Sequence, residues 1–197
     1  QEQRERMAPE LERTLFHCMN DKHDDPSIKK QFFNTFRSVT ITETNKKRLF
    51  NIWKGELSVA GLRLSENDKI SLASNLAIKL PARAESIIQE QYEQIKNPDS
   101  EKRFAFIRPS LSNDIGKRDQ FFESLKDEKN RETESWVLGA LSNLHHPLRR
   151  PNSEKYIRPS LELLKEIQET GDIFFPKRWL DRTLGSYNSK SAVEIVD

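Results

Sequence analysis

The sequence contains little cysteine and little glycine, and each shortage excludes a class of protein. Cys18 is the only cysteine among 197 residues, so the chain cannot form an internal disulfide or a cysteine-rich zinc site. Its 6 glycines are fewer than a β-rich or Rossmann-like chain of this length would normally use in its turns, which favours helices. The length still suffices to bury a hydrophobic core without disulfide or metal support.

The chain also lacks an excess of charge of one sign and a long apolar run. The 33 basic and 31 acidic residues leave a net charge of +2. This balance argues against a nucleic-acid-binding protein, because neutralising phosphates normally requires a clear excess of Lys and Arg. No apolar stretch approaches the roughly 20 residues that a membrane-spanning helix needs.

Helical periodicity is present along nearly the whole chain. Leu11, Leu15 and Met19 follow one another at intervals of four residues, which predicts that all three lie on the buried face of a first helix. Roughly ten such segments are joined by short polar connections, as in helical bundles and arrays. No segment shows the sustained alternation of apolar and polar residues that predicts a sheet.

Several helix boundaries are marked by capping residues and prolines. Asp25 followed by Pro26 predicts a helix start, since Asp can cap and Pro suits the first helical position. Ser65 and Asp68 resemble a capping box at the start of a later helix, which Pro81 is expected to end.

One short sequence occurs twice and suggests a repeat. The residues Ile-Arg-Pro-Ser-Leu at 107–111 recur at 157–161, close to the period of roughly 40–47 residues that is typical of HEAT and armadillo repeats. We therefore predict an all-α fold, a HEAT/armadillo-like α-solenoid of roughly ten helices. Whether Pro109 and Pro159 start or kink their helices is left open by the sequence.

The four histidines do not form a recognisable zinc motif. A helical zinc site needs two His four residues apart with a Glu between them, and His17, His23, His145 and His146 meet neither condition. We expect no metal ligand in the chain. His145 and His146 are predicted to lie at a helix end, where imidazoles can meet free carbonyl groups.

Nucleophilic catalysis finds no support either. Cys18 follows His17 directly, and side chains of neighbouring residues point apart on a helix, so the two cannot form a dyad. No Gly-x-Ser-x-Gly motif and no glycine-rich phosphate loop occurs. The acidic residues alternate with Lys and Arg, as on solvated helix faces. No catalytic residue is predicted.

Arginines close to aromatic residues are the remaining candidates for binding. Arg103 and Arg108 flank a Phe-rich segment, and their guanidinium groups could present paired donors to a carboxylate. The alternative is that they form ion pairs with a neighbouring helix.

The stretch from Arg103 to Ile195 contains a series of distinctive segments, at residues 104–112, 118–125, 131–132, 136–138, 144–149, 156–159, 166–168 and 170–180. With these segments the stretch resembles the C-terminal helical domain of bacterial aminopeptidase N-type enzymes, which are membrane-alanyl-aminopeptidase-like zinc exopeptidases. The earlier half is compatible with the same family through the segments 48–55 and 61–68.

This resemblance implies a larger enzyme with a β-rich N-terminal domain, a thermolysin-like catalytic domain and a helical C-terminal domain. Its zinc would be held by a His-Glu-x-x-His helix and a later Glu, and a Gly-x-Met-Glu-Asn loop would bind the peptide amino terminus. Neither motif is present, since neither Met7 nor Met19 is followed by Glu. The family therefore places zinc in the parent enzyme and assigns no cofactor and no catalytic residue to this chain.

The family also implies partners and a role for the chain. We expect residues 1–197 to be a single C-terminal helical domain cut from a larger enzyme, because the chain opens without Met and closes on an uncapped apolar stretch. It would close over its own upstream catalytic domain and shape a chamber for peptide substrates. Arg103, Arg108 and Arg158 are the candidate substrate-binding residues of the chamber wall.

Two other functions remain open from the sequence. The first is a free-standing helical-repeat scaffold that binds a protein partner and shares the fold without the enzyme. The second is a helical array that binds nucleic acid, which the balanced charge disfavours.

Overall fold

A computed structural model describes residues 2–21 and 25–196, and within these ranges the protein consists of helices and turns without any strand. The all-α prediction is therefore confirmed. In the part of the chain that is described, no helix has both the length and the apolar character needed to cross a bilayer. The chain divides into two compact units, which we name unit 1 (Gln1–Ile95) and unit 2 (Lys96–Asp197). The expectation of a single domain remains a prediction.

Unit 1 is built from five α-helices that pack mainly on their neighbours in sequence. Helix α1 packs on α2, α3 on α4, and α4 on α5. A 3-10 turn at Pro81–Arg83 separates the last two of these helices. The bounds are α1 (Glu2–Met19), α2 (Pro26–Val39), α3 (Glu43–Lys54), α4 (Glu66–Lys79) and α5 (Ala84–Gln94).

The predicted caps of unit 1 are confirmed. Asp25 accepts a hydrogen bond from the Ser27 N–H at 2.7 Å at the start of α2. Ser65 and Asp68 form a reciprocal capping box, in which each side chain accepts from the backbone N–H of the other. Helix α4 ends at Lys79, just before Pro81, since proline cannot continue the hydrogen-bond ladder.

The core of unit 1 differs from the sequence prediction in α1. Leu15 and Met19 are buried as expected, but Leu11 is 45% exposed and its neighbour Glu12 is completely buried. The hydrophobic cluster of the core gathers large side chains from α1 to α5, including Phe33, Phe36, Leu49, Leu72 and Leu76. The prediction that Leu11 lies on the buried face was wrong, because Glu12 takes that face to make the hydrogen bonds described below.

Unit 2 contains longer helices at its start and shorter, interrupted ones after residue 144. Helix α6 packs on α7 and α8, α8 on α12, and α10 on α12 and α13. The bounds are α6 (Pro98–Leu111), α7 (Ile115–Ser124), α8 (Glu134–Leu144), α9 (Arg150–Ser153), α10 (Ile157–Glu162), α11 (Leu164–Thr170), α12 (Phe175–Leu184) and α13 (Lys190–Val196), with 3-10 turns at Glu128–Arg131, Pro147–Arg149 and Glu154–Tyr156.

The repeated Ile-Arg-Pro-Ser-Leu sequence takes two different helical positions. Pro109 lies in the last turn of α6, whereas Pro159 is the third residue of α10, so neither proline starts its helix. The two copies nevertheless share one contact, because the carbonyl oxygens of Ser110 and Ser160 each accept a hydrogen bond from a buried side chain of another segment.

Candidate functional site

Three buried arginines of unit 2 bind the carbonyl groups at helix ends. Arg149 donates to the carbonyl oxygens of Ser110 and Leu111, each at 2.6 Å, and to that of Ser112 at 3.1 Å. Arg118 donates to the same Ser112 oxygen at 2.6 Å. Both guanidinium groups thus serve the C-terminal end of α6, where carbonyls have no partner within the helix and the dipole is negative.

Arg131 plays the same part at the end of α7. It donates to the Leu125 carbonyl oxygen at 2.5 Å and to the carboxylate of Glu166, so it joins the helix end to α11. Its side chain is only 3% exposed. A buried cation of this kind is stabilised by fixed acceptors on both sides and is not available to a ligand.

His145 lies at the centre of an aromatic cluster beside this network. Its Nδ1 is 2.8 Å from the hydroxyl oxygen of Tyr187. The ring meets both Tyr156 and Tyr187 edge-on, with ring centroids 6.1 Å and 5.7 Å away. The Nε2 atom is buried and has no hydrogen-bond partner among the described residues.

Tyr156 extends the cluster to the surface. Its ring stacks on Phe122 with centroids 4.8 Å apart, and its hydroxyl donates to Asp119 at 2.5 Å. Lys155 donates to the other oxygen of the Asp119 carboxylate at 2.7 Å. The order of contacts is therefore a surface ion pair, a tyrosine, a buried histidine and a second tyrosine.

The electrostatics of the cluster oppose proton exchange near neutral pH. Burial lowers the pKa of His145 to about 4, because a charged imidazolium would lie away from water. Burial raises the pKa of Tyr187 well above its usual value, and the charge of Glu154 acts in the same direction. Neither group has the pKa that general acid–base catalysis at neutral pH requires. The cluster holds helices together.

The positions of the histidines differ in part from the sequence prediction. His145 and His146 do follow α8 directly, but the His145 imidazole makes no hydrogen bond to a helix carbonyl. His145 meets Tyr187, and His146 accepts a hydrogen bond from the Leu148 N–H at the next turn. The Leu144 carbonyl oxygen at the end of α8 instead accepts a hydrogen bond from the Ser153 hydroxyl at 2.7 Å, and Arg149 binds the carbonyls at the end of α6.

His17 is exposed on α1, and His23 lies outside the described residues. Across residues 2–21 and 25–196, no three His, Cys, Asp or Glu side chains are grouped so as to hold a metal ion. Cys18 is half-buried, next to His17 on the same helix.

The candidate wall arginines lie on two helices of unit 2. Arg103 and Arg108 are half-buried on α6, and both already interact with neighbouring groups. Arg158 is exposed on α10 and donates to the Ile195 carbonyl oxygen of α13 at 3.1 Å. Their role in binding a peptide stays a prediction.

Unit 1 buries three charged side chains, those of Glu12, Lys29 and Lys79, and Glu12 and Lys79 lie at helix ends. The Glu12 carboxylate accepts hydrogen bonds from the backbone N–H groups of Ile41 and Thr42, at 2.6 Å and 3.1 Å, and from Asn45 at 2.8 Å. Lys79 is 2% exposed and donates to the Ser38 carbonyl oxygen at 3.0 Å, at the end of α2. Glu12 thus caps the start of α3, and Lys79 caps the end of α2.

The same environment shifts the pKa of both charged groups. Burial opposes ionisation of Glu12, but the hydrogen bonds that it accepts outweigh burial and hold its pKa below the usual value. Burial and the nearby positive charge of Arg4 lower the pKa of Lys79 to about 7. Both residues are structural, because their polar atoms are directed at helix ends.

Sequence reasoning missed Arg118, Arg131 and Arg149 as the residues that organise unit 2. Two of them follow the carbonyl group that they bind by a short stretch of chain, since Arg118 is six residues after Ser112 and Arg131 is six after Leu125. An arginine soon after a helix end is the signal that could have identified two of them. Arg149 also follows a helix end, that of α8, and donates to the Asn143 carbonyl oxygen at 3.4 Å, but its shorter hydrogen bonds reach Ser110 and Leu111, which that signal does not predict.

Comparison with known proteins adds no relative to these observations. No protein-family model, no curated protein and no solved structure matches the chain. A functional assignment therefore depends on the geometry of the two units and on the sequence motifs themselves.

Proposed function

We propose that the chain is the non-catalytic C-terminal helical domain of an aminopeptidase N-type zinc metallopeptidase, which removes N-terminal residues from peptides. In this proposal the zinc and the catalytic groups belong to the parent enzyme. The helical domain closes over the catalytic domain and shapes the chamber that peptides enter.

The observation that carries the proposal is the burial of polar residues in the segments of unit 2 that resemble the family. Four polar side chains of the segments that resemble the family are buried: Arg118, Arg131 and Arg149 bind carbonyl groups at helix ends, and His145 meets Tyr187. Such residues fix the shape of a helical scaffold and are unavailable for chemistry. A domain that acts through its shape suits the wall of a substrate chamber.

The packing order of the helices supports a finer proposal about architecture. In unit 1 the helices pack mainly on their sequence neighbours, as the helix pairs of HEAT and armadillo proteins do. We therefore keep the α-solenoid as part of the proposal. A concave solenoid face could carry Arg103, Arg108 and Arg158 as the wall residues that meet a peptide.

The experiment that tests the function combines an assay with the gene. The purified chain should not hydrolyse alanine p-nitroanilide and should contain no stoichiometric zinc by atomic absorption. The reading frame upstream should encode a His-Glu-x-x-His segment a few hundred residues earlier. Hydrolysis by the purified chain that a chelator abolishes would refute the non-catalytic role, and an upstream frame without the zinc motif would instead support a free-standing scaffold.

A further inference from the structure

The connection between α11 and α12 exposes two large apolar side chains next to each other. Ile173 is 87% exposed and Phe174 is 60% exposed, although the next residue, Phe175, is buried. We name Ile173 and Phe174 the apolar tip. Single exposed apolar residues are common on proteins, but an adjacent pair of this size on a short loop is typical of a binding surface.

The apolar tip is held rigidly by the loop that carries it. The Asp172 N–H donates to Glu134 at 2.8 Å, and the Phe174 N–H donates to the Asp172 side chain at 2.6 Å. Position 171 has no space for a side chain, since a Cβ on Gly171 would lie 2.7 Å from Phe175 and 2.8 Å from the Ile167 carbonyl oxygen. A partner that binds the tip would therefore lose little free energy in ordering the loop.

A small acidic pocket adjoins the apolar tip. It has a volume of about 130 Å³, and Gly171 and Phe175, which flank the tip in sequence, line it. Glu128, Glu132 and Glu134 line it as well. The Glu134 carboxylate lines the pocket and accepts a hydrogen bond from the N–H of Asp172, one residue before the tip, so the pocket lies beside the loop that carries the tip.

The charges of the pocket favour a cation. Glu128 and Glu132 form no ion pair within the described residues. The one cation in the lining, Arg131, is already bound to Leu125 and Glu166. A second cation, the Arg178 guanidinium, lies over one face of the Phe174 ring, 5.7 Å from its centroid, and is not part of the pocket lining.

We propose that the apolar tip and the acidic pocket together form a docking surface for a protein segment that carries a bulky apolar side chain beside a lysine or arginine. The apolar side chain would cover Ile173 and Phe174, and the cation would enter the pocket between Glu128, Glu132 and Glu134. Rigid aromatic and aliphatic groups of this kind provide much of the binding energy at protein interfaces. This surface is independent of any peptidase activity.

The test is a titration of the ¹⁵N-labelled full chain, followed by NMR, with three acetylated and amidated tetrapeptides. The probe Lys-Leu-Phe-Lys should cause saturable shifts in the amides of residues 128–134 and 171–175. The probes Glu-Leu-Phe-Glu and Lys-Ser-Ser-Lys, which lack the cation and the apolar group respectively, should each bind about fivefold more weakly or worse, a loss of about 1 kcal/mol.

Variants of the chain identify the residues. I173S/F174S and, separately, E128Q/E132Q should each weaken binding of Lys-Leu-Phe-Lys by about fivefold. V193S, which removes another exposed apolar side chain far along the sequence, should leave binding unchanged. Because the substituted side chains are exposed, all three variants should keep the wild-type thermal midpoint within about 2 °C.

Three results would overturn the proposal. One is that Lys-Ser-Ser-Lys binds as well as Lys-Leu-Phe-Lys, which would show attraction of charge alone. Another is that I173S/F174S binds like the wild type. The third is concentration-dependent self-association in analytical ultracentrifugation that I173S/F174S abolishes, since the tip would then serve a second copy of this chain.

Discussion

At the scale of single residues, His145 shows what burial does to a titratable group. The side chain is 2% exposed, its Nδ1 is bonded to Tyr187, and its Nε2 has no partner among the described residues. Protonation would therefore place an unsolvated charge and an unsatisfied N–H inside unit 2. The neutral form is strongly preferred in the folded protein, where burial lowers the pKa of His145 from its usual 6.5 to about 4.

This preference predicts acid sensitivity. As the pH falls below about 6.5 the unfolded chain gains a proton at His145, whereas the folded protein does so only near pH 4, so stability is lost across that window and is fully present above it. The loss attributable to His145 should reach about 3 kcal/mol. Urea titrations from pH 7 to pH 4 would measure it.

His145→Phe keeps an aromatic ring and removes the titration, so its stability should fall less than that of the wild type over the same pH range. The exposed His17 provides the control, because H17Q should follow the wild-type curve. Parallel pH curves for the wild type and His145→Phe would contradict the prediction.

On α1, Glu12 is buried and its neighbour Leu11 is exposed, which the pattern of apolar residues does not predict. The spacing of apolar residues by four correctly predicts that Leu15 and Met19 are buried, because the burial of apolar area is the main contribution to packing that a helix's own sequence reveals. The burial of Glu12 depends on partners about 30 residues later in the chain, at the start of α3. Periodicity within one helix contains no information about such partners.

At the scale of elements, helix boundaries with local signals were predictable and those set by distant contacts were not. Helices α2 and α4 begin where Asp25 and Ser65 indicate, since both caps act within three residues. Helical periodicity predicts a single helix over residues 154–167. The structure instead divides residues 154–170 into a 3-10 turn, α10 and α11. The middle of this segment contacts residues that are distant in sequence, because Trp179 donates to the Ser160 carbonyl oxygen and Arg158 donates to that of Ile195.

The start of α3 provides a prediction at this scale. Thr42, its N-cap residue, makes no capping bond with its own side chain to the helix, and Glu12 of α1 accepts hydrogen bonds from the backbone N–H groups of Ile41 and Thr42, directly before the helix. Glu12→Gln keeps the shape but loses the charge and sets an amide N–H₂ against donors. We expect the free energy of unfolding to fall by about 2 kcal/mol at pH 7, as for other charge-assisted hydrogen bonds.

Chemical denaturation at pH 7 would measure this loss, with Glu10→Gln on the exposed face of α1 as the matched control. The difference in the free energy of unfolding between the two variants should shrink as the pH falls through the lowered pKa of Glu12, because the Glu12 carboxylate that E10Q retains is then protonated. Equal stability of E12Q and E10Q at pH 7 would show that the capping contact contributes nothing.

At the scale of the whole molecule, composition and periodicity predicted the all-α class but gave no sign of two compact units. Both units use the same residue types in their cores, and the connection between α5 and α6 is only three residues long, Ile95–Asn97. No change of composition or flexible linker marks the boundary.

Each unit has a hydrophobic cluster of its own, which predicts that each folds alone. Unit 1 gathers its core around Phe33, Phe36 and Trp53, and unit 2 around Phe122 and Trp179. Fragments 1–95 and 96–197 should therefore each show a single cooperative urea transition, with a slope of about 1 kcal/mol/M as expected for their size. Tryptophan fluorescence would follow both, since each fragment retains a buried tryptophan.

Division of the chain after Leu111 is the matched control for this experiment. That cut leaves α6 on the wrong fragment, separates the Ser110 and Leu111 carbonyls from Arg149, and removes the surface of α6 that packs on α8. The fragment 112–197 should then lack near-UV circular dichroism and bind a hydrophobic dye, because a buried cation and the apolar face of α8 lose their partners. If 112–197 unfolded as cooperatively as 96–197, α6 would be dispensable to the second core, and the network centred on Arg149 would not be what holds unit 2 together.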